Sequence, residues 1–190
     1  MPANGVDDEL LIRVRGDGSG SVRTRYMRPF IPDLGDTMNK KGSILAEELE
    51  YAVGALERTV EGIGDDEFKF KPTPVSNSVQ WQLNHISRIV NVSLPRLIKG
   101  VTDYTPKGWP EDYRDQDYAM KKLMADIKKG MKAAAEGMKG LSDESLEAEI
   151  PMWGGTRQRK IGLFAYIGEV FHHRGQAAYV RGTYKRLHEK

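Results

Sequence analysis

The strongest constraint on this chain is a set of apolar residues that recur every three or four positions. Ile44, Leu45, Leu49, Ala52, Leu56, Val60 and Ile63 form one such stripe, and that spacing puts side chains on a single face of an α-helix. Ser43 is a candidate N-cap, and Gly62 and Gly64 end the segment. A second stripe, Val79, Leu83, Ile86 and Val90, predicts a helix over residues 78–99 that closes at Gly100. Pro95 inside it is expected to kink the helix or break its last turn, because proline has no N–H to donate. Tyr118, Leu123, Ile127 and Met131 mark a third helix over residues 115–138, and a fourth covers 161–187. Residues 65–77 read as a connecting loop and 101–114 as a long, proline-broken crossover. Residues 142–145 read as a capped turn, and 146–161 as two short extended pieces around 151–155. Four helices of this length with one long connection predict an all-α four-helix bundle over residues 43–190.

Residues 1–42 follow a different pattern. Two β-type runs, 10–15 and 22–27, flank a Gly/Ser/Asp turn at 16–21, which predicts a β-hairpin-like N-terminal extension without chemistry of its own. The 190 residues carry 29 Lys+Arg against 27 Asp+Glu, interspersed along the chain. Without a basic stripe there is no footprint for nucleic acid. No apolar run approaches the ~18 residues of a membrane span, and the first ten residues lack the pattern of a signal peptide. With no cysteine, the composition fits a cytoplasmic protein and excludes disulfides, thiolate zinc sites, cysteine nucleophiles and iron–sulfur clusters. Any metal must be held by histidine and carboxylate.

The four histidines are His85, His172, His173 and His188, the last in the frayable C-terminus. Glu169 and His173 are four residues apart, so they stack on one face of the fourth helix. Tyr166, Gln176 and Tyr184 share that face. The helix reads as apolar around most of its circumference, so Glu169 is expected among Tyr166, Val170 and His173 rather than in water. A buried carboxylate needs a partner or a metal. His85, on the second helix, is the available third ligand. Three protein ligands with open positions are what a hydrolytic or transfer metalloenzyme requires. A Glu/His pair at this spacing also serves as a helix-stabilising hydrogen bond, so a purely structural cluster remains an alternative. Glu169-x-x-His172 matches the step used by di-iron bundles, but a second copy is missing, since Gln82 and Lys185 stand three residues before His85 and His188. Trp109 and Trp153 fall in loops that can line a pocket mouth.

The run from Glu169 to Gln176, Glu-Val-Phe-His-His-Arg-Gly-Gln, resembles the His-x-x-His-His-Arg-Gly-Gln signature of DinB/YfiT-like proteins. Trp81-Gln82-Leu83-Asn84-His85-Ile86 resembles that family's first-histidine motif. Phe70-Lys71-Pro72, Leu97-Ile98-Lys99-Gly100 and Leu141-Ser142-Asp143-Glu144 add weaker matches, and the resemblance covers residues 43–185. It implies an up-and-down bundle, a homodimer, and a divalent metal (Zn, Ni, Fe or Mn) held from two helices. It also implies hydrolase or thiol S-transferase chemistry on a small electrophilic molecule, with a low-molecular-weight thiol such as bacillithiol or mycothiol. Carried onto this chain, the ligands are His85, Glu169 and His173; the first signature position is glutamate here instead of histidine, which favours the harder ions Fe, Mn or Ni. Arg174 and Gln176 are expected to serve packing or ligand support, Gly175 a close helix approach, and Tyr166 or Tyr184 proton donation. The competing reading is a non-catalytic dimeric bundle that binds a ligand or partner.

Overall fold

Where the stripes fall decides how the chain folds. The computed structural model describes residues 40–188. Helix α1 is Lys40–Val60, α2 Asp65–Lys69 and α3 Val79–Arg88; a π-helical turn, Ile89–Ser93, leads into α4, Leu94–Lys99. After a 3₁₀ turn at Tyr113–Asp115 come α5, Met120–Lys139, and α6, Asp143–Glu147. The antiparallel hairpin of β1, Glu149–Met152, and β2, Gly155–Gln158, leads to α7, Arg159–His188. Helix α3 starts where the Ser78 hydroxyl accepts the Trp81 N–H at 3.2 Å, and α6 where Ser142 accepts from the Ser145 N–H at 3.0 Å. Gly100 ends α4 at φ 70°, a left-handed conformation that glycine adopts without steric cost.

Helices α1 and α3 each pack on both α5 and α7, so α1 and α3 lie on one diagonal of the bundle and α5 and α7 on the other. Side-chain contacts set the directions. Glu57 pairs with Lys128 and Glu50 with Lys139, so α5 runs against α1. Gln80 reaches the Tyr118 carbonyl and Asn91 that of Asp126, so α3 and α5 run the same way. Gln82 meets His173, while Leu97 sits where a Cβ on Gly162 would fall, so the α3–α4 rod runs against α7. The expected all-α bundle is present, and these contacts refine it to up, down, down, up, with the long crossover carrying the chain back along its length. The buried apolar residues of all four rods form one core, centred on Leu49, Leu56, Leu83, Ile86, Ile127 and Leu163.

Several local features depart from the sequence reading. Helix α1 begins at Lys40, ahead of Ser43, and the segment 65–77 contains the short α2. Pro95 does not break its helix, because the π-helical turn places it in the first turn of α4, where a missing N–H is cheap. Asn91, in that turn, donates to the carbonyls of Ser87 (2.9 Å) and Asp126 (3.2 Å). Its side chain lies 2.6 Å from where a Cβ on Gly130 would fall, so only glycine lets α5 approach so closely. The third helix starts at Met120, later than expected, because Asn84 donates to the carbonyls of Arg114 and Gln116 and holds that stretch in the crossover. Ile44 is exposed, and α7 is not apolar-covered on most sides: Ile161, Phe164, Tyr179 and Leu187 face water. Its two long neighbours leave an outer face open. The hairpin expected over residues 10–27 lies outside the described residues. No helix among the described residues is long and apolar enough to cross a membrane.

Candidate metal centre

Two rods of the bundle bring the site together where the first turns of α3 face the middle of α7. On α3, Trp81 and His85 are one turn apart and stack with ring centroids 5.4 Å apart. Gln82, buried on the same helix, turns toward α7 and places its Oε1 2.6 Å from Nδ1 of His173. Gln176, one turn further along α7, places its Oε1 2.9 Å from the same nitrogen. Both partners are carbonyl oxygens and can only accept, so Nδ1 carries the proton and Nε2 keeps its lone pair. That bare Nε2 faces Oε2 of Glu169 at 3.3 Å. The His85 ring is 4.5 Å from that of His173, edge to face, and its Nδ1 is 3.2 Å from the Tyr113 hydroxyl. One ligand atom from each of His85, Glu169 and His173 lies within 4.8 Å of the others.

The electrostatics favour neutral imidazoles. His85 has its pKa pushed down to about 4, first by burial and then by the nearby His173, Arg114 and Arg88. Burial also holds His173 below the usual imidazole range, against the opposing pull of Gln176 and Glu169. An unprotonated Nε2 facing a carboxylate oxygen sets two acceptors against each other, and a cation between them resolves that conflict. Ligand atoms of a tetrahedral ion with bonds of about 2.1 Å stand about 3.4 Å apart, close to the Glu169–His173 separation. The anchoring of His173 Nδ1 by two amide oxygens is the support that metal-binding histidines characteristically have. The donor set therefore fits a divalent ion.

Other expectations fare differently. Glu169 is not buried: its side chain is 49% exposed, because it lies at the rim of the α3–α7 seam rather than in it. The site is thereby open to solvent on that side. His172 is exposed and accepts a hydrogen bond from the Gln176 amide at 2.9 Å, so Gln176 links the two adjacent histidines. Tyr166 is one turn from Glu169 on α7, and the Trp153 indole N–H donates to its hydroxyl at 3.4 Å. Tyr184 is not brought to the cluster: it stacks on His188 and meets Phe70, about 16 Å of helix rise beyond His173. Arg174 turns to α1 and donates to the Thr59 hydroxyl, and among the described residues none outside its own helix would lie within 4 Å of a Cβ on Gly175, so no described helix approaches it closely. Gln82 and Tyr113 are the functional neighbours that the sequence reading missed. In the sequence Gln82 is visible as part of the first-histidine motif and as a residue that is not glutamate, with nothing to mark it as a partner of His173, and Tyr113 sits in an aperiodic crossover, held by Arg88 and Arg114 over its ring face.

A four-helix bundle with a histidine cluster between two of its rods is what the resemblance to DinB-like proteins implies. The sequence model of the mycothiol-S-transferase family matches residues 44–185, and the chain belongs to that family. Solved structures match as well. Among them is the crystal structure of a conserved protein from Enterococcus faecalis, 18% identical, with a TM-score of 0.60, covering 74% of this chain and 94% of that one. At that identity the likeness speaks for the fold. No curated protein matches the chain significantly.

Proposed function

We propose that the protein is a metal-dependent thiol S-transferase, which joins a low-molecular-weight thiol to a small electrophilic molecule at the α3–α7 seam. The single observation that carries this is the convergence of His85, Glu169 and His173, with Nε2 of His173 held unprotonated toward Glu169. A divalent ion bound there lowers the pKa of a thiol and keeps it as the nucleophilic thiolate at neutral pH. The glutamate in the first signature position favours Fe, Mn or Ni over a thiophilic preference.

The chain's own residues then have distinct tasks. Gln82 and Gln176 fix the tautomer and ring orientation of His173. Trp81 and Tyr113 hold His85 by stacking and by a hydrogen bond to Nδ1. Glu169, at the exposed rim, leaves a path by which thiol and electrophile enter and by which the thiol proton leaves to water. Because Trp153 donates to the Tyr166 oxygen, the Tyr166 O–H proton stays free to reach the product. The family name points to mycothiol as the thiol.

The test is elemental analysis of the full chain purified without chelator, beside His173→Ala, with thiol consumption measured for mycothiol and bacillithiol. The expected result is about one equivalent of metal, lost in the variant together with thiol transfer. Absence of metal from both proteins, each folded, would leave Glu169 and His173 as a structural pair and overturn the proposal.

A further inference from the structure

A concavity of about 420 Å³ opens on the other side of α7, in its groove with α1. Arg58, Arg174, Arg181 and Lys185 line it, together with Thr59, Ala178 and Gly182. We infer that this groove binds a small phosphate-bearing anion, at a site separate from the metal centre.

Charge is the first argument. Among the described residues, four cations line the concavity and no carboxylate does. Arg181 meets Glu67 at 2.8 Å, while Arg58, Arg174 and Lys185 have no acidic partner among the described residues. The whole chain is nearly balanced, 29 basic against 27 acidic residues, so basic composition does not explain the cluster. The three cations with no acidic partner among the described residues repel one another, and a multiply charged oxyanion relieves that repulsion.

Geometry is the second. Arg174 donates from Nε to the Thr59 hydroxyl at 2.9 Å, and Arg181 from Nη1 to the Thr59 carbonyl at 2.6 Å. Both guanidinium groups are thus held in place before a ligand arrives. Both terminal nitrogens of Arg174 and Nη2 of Arg181 remain unbonded to the described protein, a donor set whose planar forks match phosphate oxygens. Ala178 and Gly182, four residues apart on α7, line the groove as well, and a Cβ on Gly182 would come within 3.2 Å of the Arg186 guanidinium, a further cation beside it. Arg174, Arg181 and Lys185 follow one side of α7 over about 16 Å of helix rise, with Arg58 of α1 beside them, a cluster short enough for a small ligand and shorter than the stripe that tracks a nucleic-acid backbone.

Isothermal titration of inorganic phosphate and pyrophosphate into the full chain, at constant ionic strength, tests the inference. One equivalent of pyrophosphate is expected to bind, more tightly than phosphate. Arg58→Gln/Lys185→Gln should weaken it about tenfold or more while metal content and circular dichroism stay unchanged. Binding should persist in His173→Ala, which places the anion away from the metal centre. The inference is overturned if neither anion binds, if the double variant binds equally well, or if binding disappears in His173→Ala. It is also overturned if short DNA or anionic phospholipid vesicles bind while pyrophosphate does not.

Discussion

Helices α1 and α5 bury nothing but apolar and small residues: Ala46, Leu49, Ala52, Val53 and Leu56 from one, Leu123, Ile127, Ala134, Ala135 and Met138 from the other. Their charges stay at the rim, in the exposed pairs Glu57–Lys128 and Glu50–Lys139. Helices α3 and α7 meet at a seam of the opposite character. Gln82 is buried on α3 and His173 on α7, and the two are hydrogen-bonded to each other at 2.6 Å instead of packed as apolar side chains. One region supplies cohesion, and the other gives some of it up to hold polar side chains at fixed angles. The division shows why a bundle can carry a reactive cluster without melting around it.

Truncating each region separately should break the comparison most visibly. Leu56 is wholly buried on α1, so Leu56→Ala should cost about 2–5 kcal/mol, which for a chain of this size lowers the Tm by about 2–4 °C per kcal/mol. The folded fraction should still bind metal stoichiometrically. Gln82→Leu should do the reverse. His173 Nδ1 keeps its bond to Gln176, so the fold should hold to within about 1 kcal/mol. Metal affinity should drop about 10- to 100-fold, because the ring has lost one of its two anchors. Thermal melts with and without added metal read both quantities at once, since a bound ligand stabilises the fold by an amount that grows with the logarithm of its concentration over Kd. Equal losses of metal affinity in the two variants would show that the seams are not separate.

The same division explains what the sequence disclosed. The apolar rods were legible because burial of one helical face leaves a 3.6-residue period in the chain. Glu169 and His173 were legible for a related reason, a four-residue step on one long helix. The exposure of Glu169 was not, because it depends on which rods flank α7 and how far the seam extends. Pro95 signals a break in any local reading; the π-helical turn that absorbs it is visible only once Asn91 has α5 to bond to. Gln82 and Tyr113 act through partners 91 and 28 residues away in sequence, and no periodicity encodes such pairings.

Smaller effects sharpen the contrast. Tyr113→Phe removes the hydroxyl beside Nδ1 of His85 but keeps the ring that packs near it. Trp81 still stacks on that imidazole. Metal affinity, followed by competition with a chelator, should therefore fall by about tenfold, the low end of what losing an outer partner does. A larger drop would mean that Tyr113 touches the reacting groups directly.

The smallest effect belongs to the rim of the apolar region. Glu57 and Lys128 join α1 to α5 at 2.5 Å, but each side chain is about half exposed to water. Solvent screening and the entropy of holding two long side chains leave such pairs worth about 0.2–1 kcal/mol. A double-mutant cycle with Glu57→Gln and Lys128→Met, read by urea denaturation, should return a coupling in that range, with metal content unchanged. Raising the salt to 1 M should remove most of it, since the Debye length there is about 3 Å. A coupling above about 2 kcal/mol that survives salt would mean that charge at the rim, rather than the buried leucines and alanines, fixes how α1 sits on α5.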